Sequence, residues 1–362
     1  MNRHRVMHVV VAGDIGGAER LLVDVATRPE RTRAEHEVAL FTPNSALREY
    51  FANAGLRVHD CGAAPENPIA YLQRSLGGSH VRRLADLLIA RSCDIVHTHT
   101  FGSHVIGTRA AERTQLRQVR TEHHFVHYFD PSCRVFTRWA AARTAAIVAV
   151  SEYVRRVLER TAPSLAERTT VARNGVDTVY WSPREKTDRG FRACIVCRLT
   201  AWKRVHLAIR AAAMAHVELA VVGDGEQRGA LERLARALSA PVRFVGYAPD
   251  PRIHICESDV VLSTSDREPL GLSVMEALSM GRPVVACAAG GIPEIVRDDE
   301  TGILVPEGTA EGFARALMTG RDQPERLAAM AARGRAFAMR ECSIESTCEK
   351  YGDVYDRVLR AS

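Results

Sequence analysis

The chain repeats one local pattern in both halves: a short apolar run, a turn carrying glycine, and apolar residues at helical spacing. Val6 to Ala12 reads as a buried strand, Gly13-Asp-Ile-Gly16-Gly17-Ala-Glu-Arg as the turn, and Leu21, Leu22, Val25 and Ala26 as the inner stripe of a helix. Val217-Glu-Leu-Ala-Val-Val repeats the strand before Gly223-Asp-Gly225, with a helix over Leu231 to Leu238. Further strands are expected at Val38–Phe41, Leu56–Cys61, Asp94–His99, Ala145–Val150, Phe191–Cys197 and Val242–Gly246, and an amphipathic helix at Val81–Ala90. Continuous apolar strands alternating with helices point to parallel sheets covered on both faces. With 362 residues there is room for two domains of about 150 each. The expected fold is α/β, two doubly wound Rossmann-like domains facing a cleft.

Composition narrows the function class. At 46% hydrophobic and 25% charged the chain is an ordinary globular one. It has no run of 18 apolar residues and no apolar leader at its start, so a cytoplasmic protein is expected. Nine scattered cysteines suit a reducing compartment. Cys194 and Cys197 have the spacing of half a zinc site, but no second pair follows and they fall on a strand, where positions three apart face opposite ways. Core cysteines are the expectation there. The formal net charge of +6 sits entirely in the first 180 residues, which also hold 11 of the 14 histidines. That excess lacks lysine-rich runs or interleaved aromatics, so nucleic acid is not the expected partner. Arginine-bearing helices such as Val81–Arg91 and Arg134–Arg143 keep a peripheral membrane contact open.

The densest chemistry lies in Ser263 to Val296. Glu268 and Glu276 stand eight positions apart around Pro269-Leu270-Gly271, and Val274, Met275, Ala277 and Leu278 then follow a helical rhythm. Gly271, Leu272 and Ser273 are thereby placed at a helix N-terminus, where free N–H groups and the helix dipole receive a diphosphate. The two carboxylates suit sugar hydroxyls, because an ionised carboxylate only accepts hydrogen bonds. A competing reading needs no ligand: Ser273 and Glu276 have the spacing of a capping box. After the strand Pro283–Ala286, a second unit opens at Ala289-Gly290-Gly291-Ile292-Pro293-Glu294, expected to start another helix.

Cations and histidines complete the candidate set. Only Lys186, Lys203 and Lys350 are lysine among 49 basic residues, so a lysine is informative here. Arg198 and Lys203 stand five apart after the strand at 191–197, spaced to neutralise a departing diphosphate. His97 and His99 share one strand face, with His104, His123, His124 and His127 nearby in sequence. No acidic or cysteine partner with ligand spacing joins them, so a polar lining is favoured over zinc. No Asp-x-Asp stands at a strand end, and Asp298-Asp299-Glu300 reads as a solvated turn. The spacing Gly-x-x-Gly-Gly at residues 13–17, with no acidic residue closing the next strand, argues against a dinucleotide cofactor.

These residues resemble the retaining glycosyltransferases of family four, which have the GT-B fold. The resemblance runs through Gly16-Gly17-x-Glu19, Thr121-x-His123, Asn174-Gly-Val-Asp177, Arg198-Leu near Lys203, and Glu268 to Glu276. Leu270 stands where phenylalanine is common, and Cys197 and Arg204 where small residues are usual. The likeness implies an N-terminal acceptor domain at 1–180 completed by a helix at 345–362 that crosses back to it, a hinge at 181–190, and a donor domain at 191–344. It implies a hexose, GlcNAc or glucose favoured and mannose possible, moved from a UDP- or GDP-sugar with retention and without metal or other cofactor. His123 would lie near the sugar ring, Arg198 and Lys203 on the leaving group, Glu268 on the sugar and Glu276 on the ribose. Gly16 and Gly17 would approach the phosphate, and Gly223 and Tyr247 would lie at the donor, the base being contacted through the main chain. His99 and Asn174 would lie on the acceptor side. A small-molecule acceptor is expected, with a lipid or polysaccharide acceptor as the alternative. A phosphorylase or hydrolase of the same fold, and a non-catalytic nucleotide-sugar binding protein, are the rivals. Acceptor contacts are expected in Gly62–Gly78 and Phe125–Arg134.

Overall fold

A computed structural model describes residues 3–11, 15–62, 77–99, 101–186 and 190–360. Gly13, the span 63–76 of the expected acceptor loop, and 187–189 of the expected hinge lie outside the described residues. The chain divides into two compact units, Met1–Asn174 with Ile344–Ser362, and Gly175–Ser343.

The first unit is built on seven parallel strands: β1 His4–Val10, β2 Ala34–Leu40, β3 Arg57–Asp60, β4 Ile95–Thr98, β5 Arg117–Glu122, β6 Ala146–Ala149 and β7 Thr169–Val171. Their order is β3-β2-β1-β4-β5-β6-β7, so the winding reverses between β1 and β4. Register there pairs Val6 with Ile95 and His8 with His97, which sets two histidines level in neighbouring strands. The helix Gly17–Ala26 packs Leu21 and Val25 against Val6, Ile95 and Val119. The last helix, Ile344–Arg360, adds Tyr351, Val354, Tyr355 and Val358 to that cluster. Its sequence carries these at i, i+3, i+4 and i+7, one helical face. Ser151 caps the helix Glu152–Thr161 through the Val154 N–H at 3.1 Å.

The second unit holds β8 Arg192–Val196, β9 Glu218–Val222, β10 Val242–Gly246, β11 Val260–Ser263, β12 Val284–Cys287 and β13 Gly302–Val305. These too are parallel, in the order β10-β9-β8-β11-β12-β13, with the reversal between β8 and β11. Both units are therefore doubly wound α/β sheets.

Two expectations change, and one competing reading falls. The division falls at Asn174–Gly175, earlier than 180, because Val176 and Trp181 are buried in the second unit's core and Val176 N–H bonds the Cys342 carbonyl at 2.8 Å. Residues 181–186 follow it into the same unit. The turn at Gly290-Gly291 opens only a 3-10 turn, Ile292–Glu294, not a helix. Ile295 and Val296 are buried and Thr301 already receives the Arg297 N–H at 2.9 Å, which leaves too little chain before β13 for an α-helix. Finally, the helix Leu272–Ser279 is capped by Gly271 without a side-chain bond, so Ser273 lies inside it and the Ser273–Glu276 capping box does not form.

Candidate functional site

In the second unit the strand ends at the reversal gather four loops. Ligands of open α/β sheets bind at such a point, beyond the carboxyl ends of the strands. Glycine lets the loops approach. At Gly223, with φ of 131°, a Cβ would lie 1.9 Å from the Cys197 carbonyl oxygen, and at Gly290, with φ of 65°, 2.2 Å from that of Glu268. Gly291 then donates its N–H to the Glu268 carbonyl at 2.8 Å, fixing the loop that carries that carboxylate.

Lys203 and Glu268 meet across the reversal, Nζ to Oε2 at 2.5 Å, both largely shielded. Lys203 follows β8 on a 3-10 turn, Ala201–Lys203, and its carbonyl accepts from Thr264 Oγ1 at 2.7 Å, tying it to the loop after β11. Its ammonium stands 4.1 Å from the centre of the Trp202 ring. An ammonium has three donors, so the carboxylate does not exhaust it. Arg198 is exposed and makes no ion pair among the described residues. Nearby, Gly271 begins the helix Leu272–Ser279, and its carbonyl takes the Val274 and Met275 N–H groups at 3.1 and 3.2 Å. The Leu272 and Ser273 amides precede these first intrahelical donors, as at any helix start. Glu276 is buried one turn further in, and Tyr247 is exposed at the end of β10. Burial pushes the Cys194 and Cys197 thiols up to about 12, which suits core thiols rather than metal thiolates.

The first unit places a second cluster at its own reversal. His97 and His99 stack with ring centres 4.2 Å apart. His97 spends both nitrogens, on Tyr355 Oη and Thr121 Oγ1, each at 2.8 Å. His99 is likewise used on both sides, by His8 at 2.8 Å and His123 at 3.3 Å. His99 is buried, and its ring reaches His123 through one of these bonds. His123 is partly accessible, and burial pushes its imidazole down to about 3. Gly16 N–H is taken by Glu19 Oε2 at 2.9 Å, while Gly17 opens the helix. Asn174 is buried, and its Oδ1 has no hydrogen-bond partner among the described residues.

An acidic partner does join the histidines, contrary to expectation. Glu122 ends β5 with His127 Nε2 at 3.0 Å and His104 Nε2 at 3.8 Å, a grouping with metal-ligand proximity. Arg120, fully buried, pairs with the same carboxylate, and Tyr128 Oη donates to it at 2.8 Å. Burial alone would push the Glu122 carboxyl up; Arg120 and His127 outweigh it and hold it well below the carboxylate range. A guanidinium in that position opposes a divalent cation, so the group reads as a buried ion-pair network. His8, His97 and His99 also come within ligand distance of one another, but hydrogen bonds occupy their nitrogens. Sequence spacing hid His8, which strand adjacency brings to these rings, and Glu122, which meets His127 through the 3-10 turn Val126–Tyr128 and His104 through the helix Phe101–Thr114.

Comparison with known proteins agrees with the fold. Residues 15–180 match the family described as Glycosyltransferase Family 4, and residues 190–320 the one described as Glycosyl transferases group 1. The lipopolysaccharide core biosynthesis glycosyltransferase LpsE of Rhizobium meliloti is 38% identical over 40% of this chain and 44% of its own length, less than half of that relative. The D-inositol 3-phosphate glycosyltransferase of Kineococcus radiotolerans is 27% identical over 96% of this chain and 92% of its own. Anabaena HepE, solved with UDP-glucose, superposes with a TM-score of 0.86 at 23% identity, covering 98% of this chain and 99% of that one. With two Rossmann-like sheets and both family matches in register with them, the chain belongs to the family-four-like glycosyltransferases of GT-B fold.

Proposed function

We propose that the protein transfers a hexose, glucose or GlcNAc in preference to mannose, from a UDP- or GDP-sugar to an acceptor hydroxyl with retention of configuration. The observation that carries this reading is the Lys203–Glu268 pair at the strand reversal beside the helix start at Gly271. An anionic diphosphate seated at the amides of Leu272 and Ser273 draws on the Lys203 ammonium and on Arg198, while Glu268 accepts from sugar hydroxyls and Glu276 from the ribose. The acceptor oxygen bonds to the anomeric carbon from the leaving-group side as the bond to phosphate breaks. Its proton passes to the departing phosphate oxygen. Lysine, arginine and the helix dipole supply the positive charge, so no metal is required. HepE, solved with UDP-glucose, supports the donor class.

A panel of UDP- and GDP-sugars tested by thermal shift identifies the donor, since a ligand at a hundred times its Kd adds about 2.7 kcal/mol. Nucleotide release that requires an acceptor hydroxyl, and persists in EDTA, supports transfer without metal. Release at full rate with no acceptor returns the hydrolase reading, and binding without release the non-catalytic one. A small-molecule acceptor is the primary reading. Exposed Val126, Phe129 and Val135 beside Arg134 and Arg138 favour a second, an acceptor carried at an anionic membrane surface. Among the described residues no helix is long and apolar enough to cross a membrane. Flotation with anionic liposomes separates the two.

A further inference from the structure

One line of side chains runs unbroken through the first unit. Thr32 Oγ1 lies 2.7 Å from His36 Nε2, and His36 Nδ1 lies 2.8 Å from His8 Nε2. His8 Nδ1 lies 2.8 Å from His99 Nε2, and His99 Nδ1 lies 3.3 Å from His123 Nε2. Thr32, His36, His8 and His99 are all buried. A neutral imidazole has one donor and one acceptor. When both nitrogens of three successive rings are used, every bond must point the same way. Only two neutral arrangements are then available, with all rings protonated at Nε2 or all at Nδ1.

The closed end selects between them. Thr32 Oγ1 donates to the Arg28 carbonyl at 3.2 Å. A carbonyl only accepts, so this bond exists only with the hydroxyl proton directed at Arg28, and the hydroxyl oxygen then receives the His36 Nε2–H.

We infer that this row is a tautomer lock, in which Thr32 orders His36, His8 and His99 as Nε2–H imidazoles and thereby presents His123 Nδ1 as a bare acceptor for a sugar hydroxyl. The inference rests on the proposed place of His123 beside the reacting sugar. The row is not a proton conduit: a proton entering at His123 would have to leave from Thr32 onto an amide carbonyl. Its rings are neutral, since burial holds His36 and His123 at about 3 and His8 and His99 well below the usual imidazole range. A neutral lone pair accepts from a hydroxyl and repels a phosphate oxygen, which separates the role of His123 from that of Lys203. Thr32, His36, His8 and His99 are positioning residues in this scheme.

The test uses the full chain with ¹⁵N-labelled histidine, whose spectra separate protonated from bare ring nitrogens. Wild-type protein is expected to show His123 protonated at Nε2 and bare at Nδ1. In Thr32→Val the His36 Nε2–H loses its acceptor, and an orphaned buried N–H is harder to tolerate than an orphaned acceptor. The row then reverses, His123 becomes Nδ1–H, and kcat falls about tenfold with little change in the donor KM. Thr32→Ser restores both the spectrum and kcat. Wild-type His123 found as Nδ1–H, or a folded Thr32→Val that keeps the wild-type spectrum and kcat, overturns the lock. His123→Phe distinguishes the two readings: wild-type transfer by that variant removes His123 from the reaction, while the Thr32→Val spectrum still decides the lock.

Discussion

At the scale of single residues the Lys203–Glu268 pair is the feature to test first. A shielded ion pair has a purely structural explanation, and the two explanations diverge on mutation. Lys203→Met is expected to lower kcat by about 10²–10³, the usual effect of removing one preorganised charge from a leaving group. Glu268→Gln should lower it as well, and the double variant by less than the product, because contacting residues are not additive. If the pair only braces the loops, the double variant recovers urea stability and kcat stays at the wild-type value throughout. Glu276→Ala speaks to recognition. With Gly271 as the cap, this change removes no capping bond. The donor KM should rise about 10- to 100-fold, as for loss of one hydrogen bond to a charged group, with kcat nearly unchanged. Residues of this kind were legible in the sequence because their roles depend on local spacing. Glu268 and Gly271 sit on a turn that the glycine pattern announces, and Arg198 and Lys203 on the turn that follows the apolar strand at 191–197. Thr32, His36, His8 and Glu122 were not legible, since His36 and His8 take their meaning from partners 28 and 91 positions away and Thr32 and Glu122 from contacts fixed by burial.

Among elements, the glycine turns are what distinguishes these loops from ordinary connections. Gly290 adopts a φ of 65°, and any side chain there meets the Glu268 backbone carbonyl. Gly55 has a comparable φ of 82° with nothing within 4 Å. Gly55→Ala should therefore cost only the backbone strain, about 1 kcal/mol, while Gly290→Ala adds a clash with main chain and should cost about 3 kcal/mol or more. Urea unfolding of both variants checks the difference, and equal costs would mean that the close approach of the two loops does not matter. Strand and helix positions were read from the sequence to within a few residues wherever an apolar run or stripe was long. The pattern failed at Ile292–Glu294, where proline at an early position and a short path to β13 permit one 3-10 turn only. At Ser273 the competing capping-box reading falls, because glycine in the left-handed region takes the capping position. Both outcomes are contests between local signals that only the packed chain decides.

For the whole molecule, the uneven distribution of histidine becomes a prediction about acid stability. Eleven of 14 histidines lie in the first 180 residues, and that half of the chain buries His8, His36, His97, His99, His104 and His127. In the second unit His206 and His216 are exposed, and His206 and His254, lowered by partial burial, lack the full enclosure of those rings. A ring whose folded pKa lies below its unfolded value takes up its proton first in the unfolded chain. Stability therefore falls as pH drops below about 6.5 and keeps falling to about 3, the value to which burial pushes His36 and His123. Each ring contributes about 1.4 kcal/mol per pH unit, so these two alone remove on the order of 4 kcal/mol between pH 6.5 and 5. Glu122, held well below the carboxylate range, adds its loss only under more acidic conditions. Hydrogen exchange followed by mass spectrometry at pH 7 and pH 5, corrected for the intrinsic rates, reads the two units separately. The expected result is loss of protection in β1, β2, β4, β5 and the helix Ile344–Arg360, with β8 to β13 unchanged. A uniform loss across both units would show that the buried histidines do not control acid unfolding. A selective loss would identify the histidine-rich core as what confines this chain to near-neutral pH.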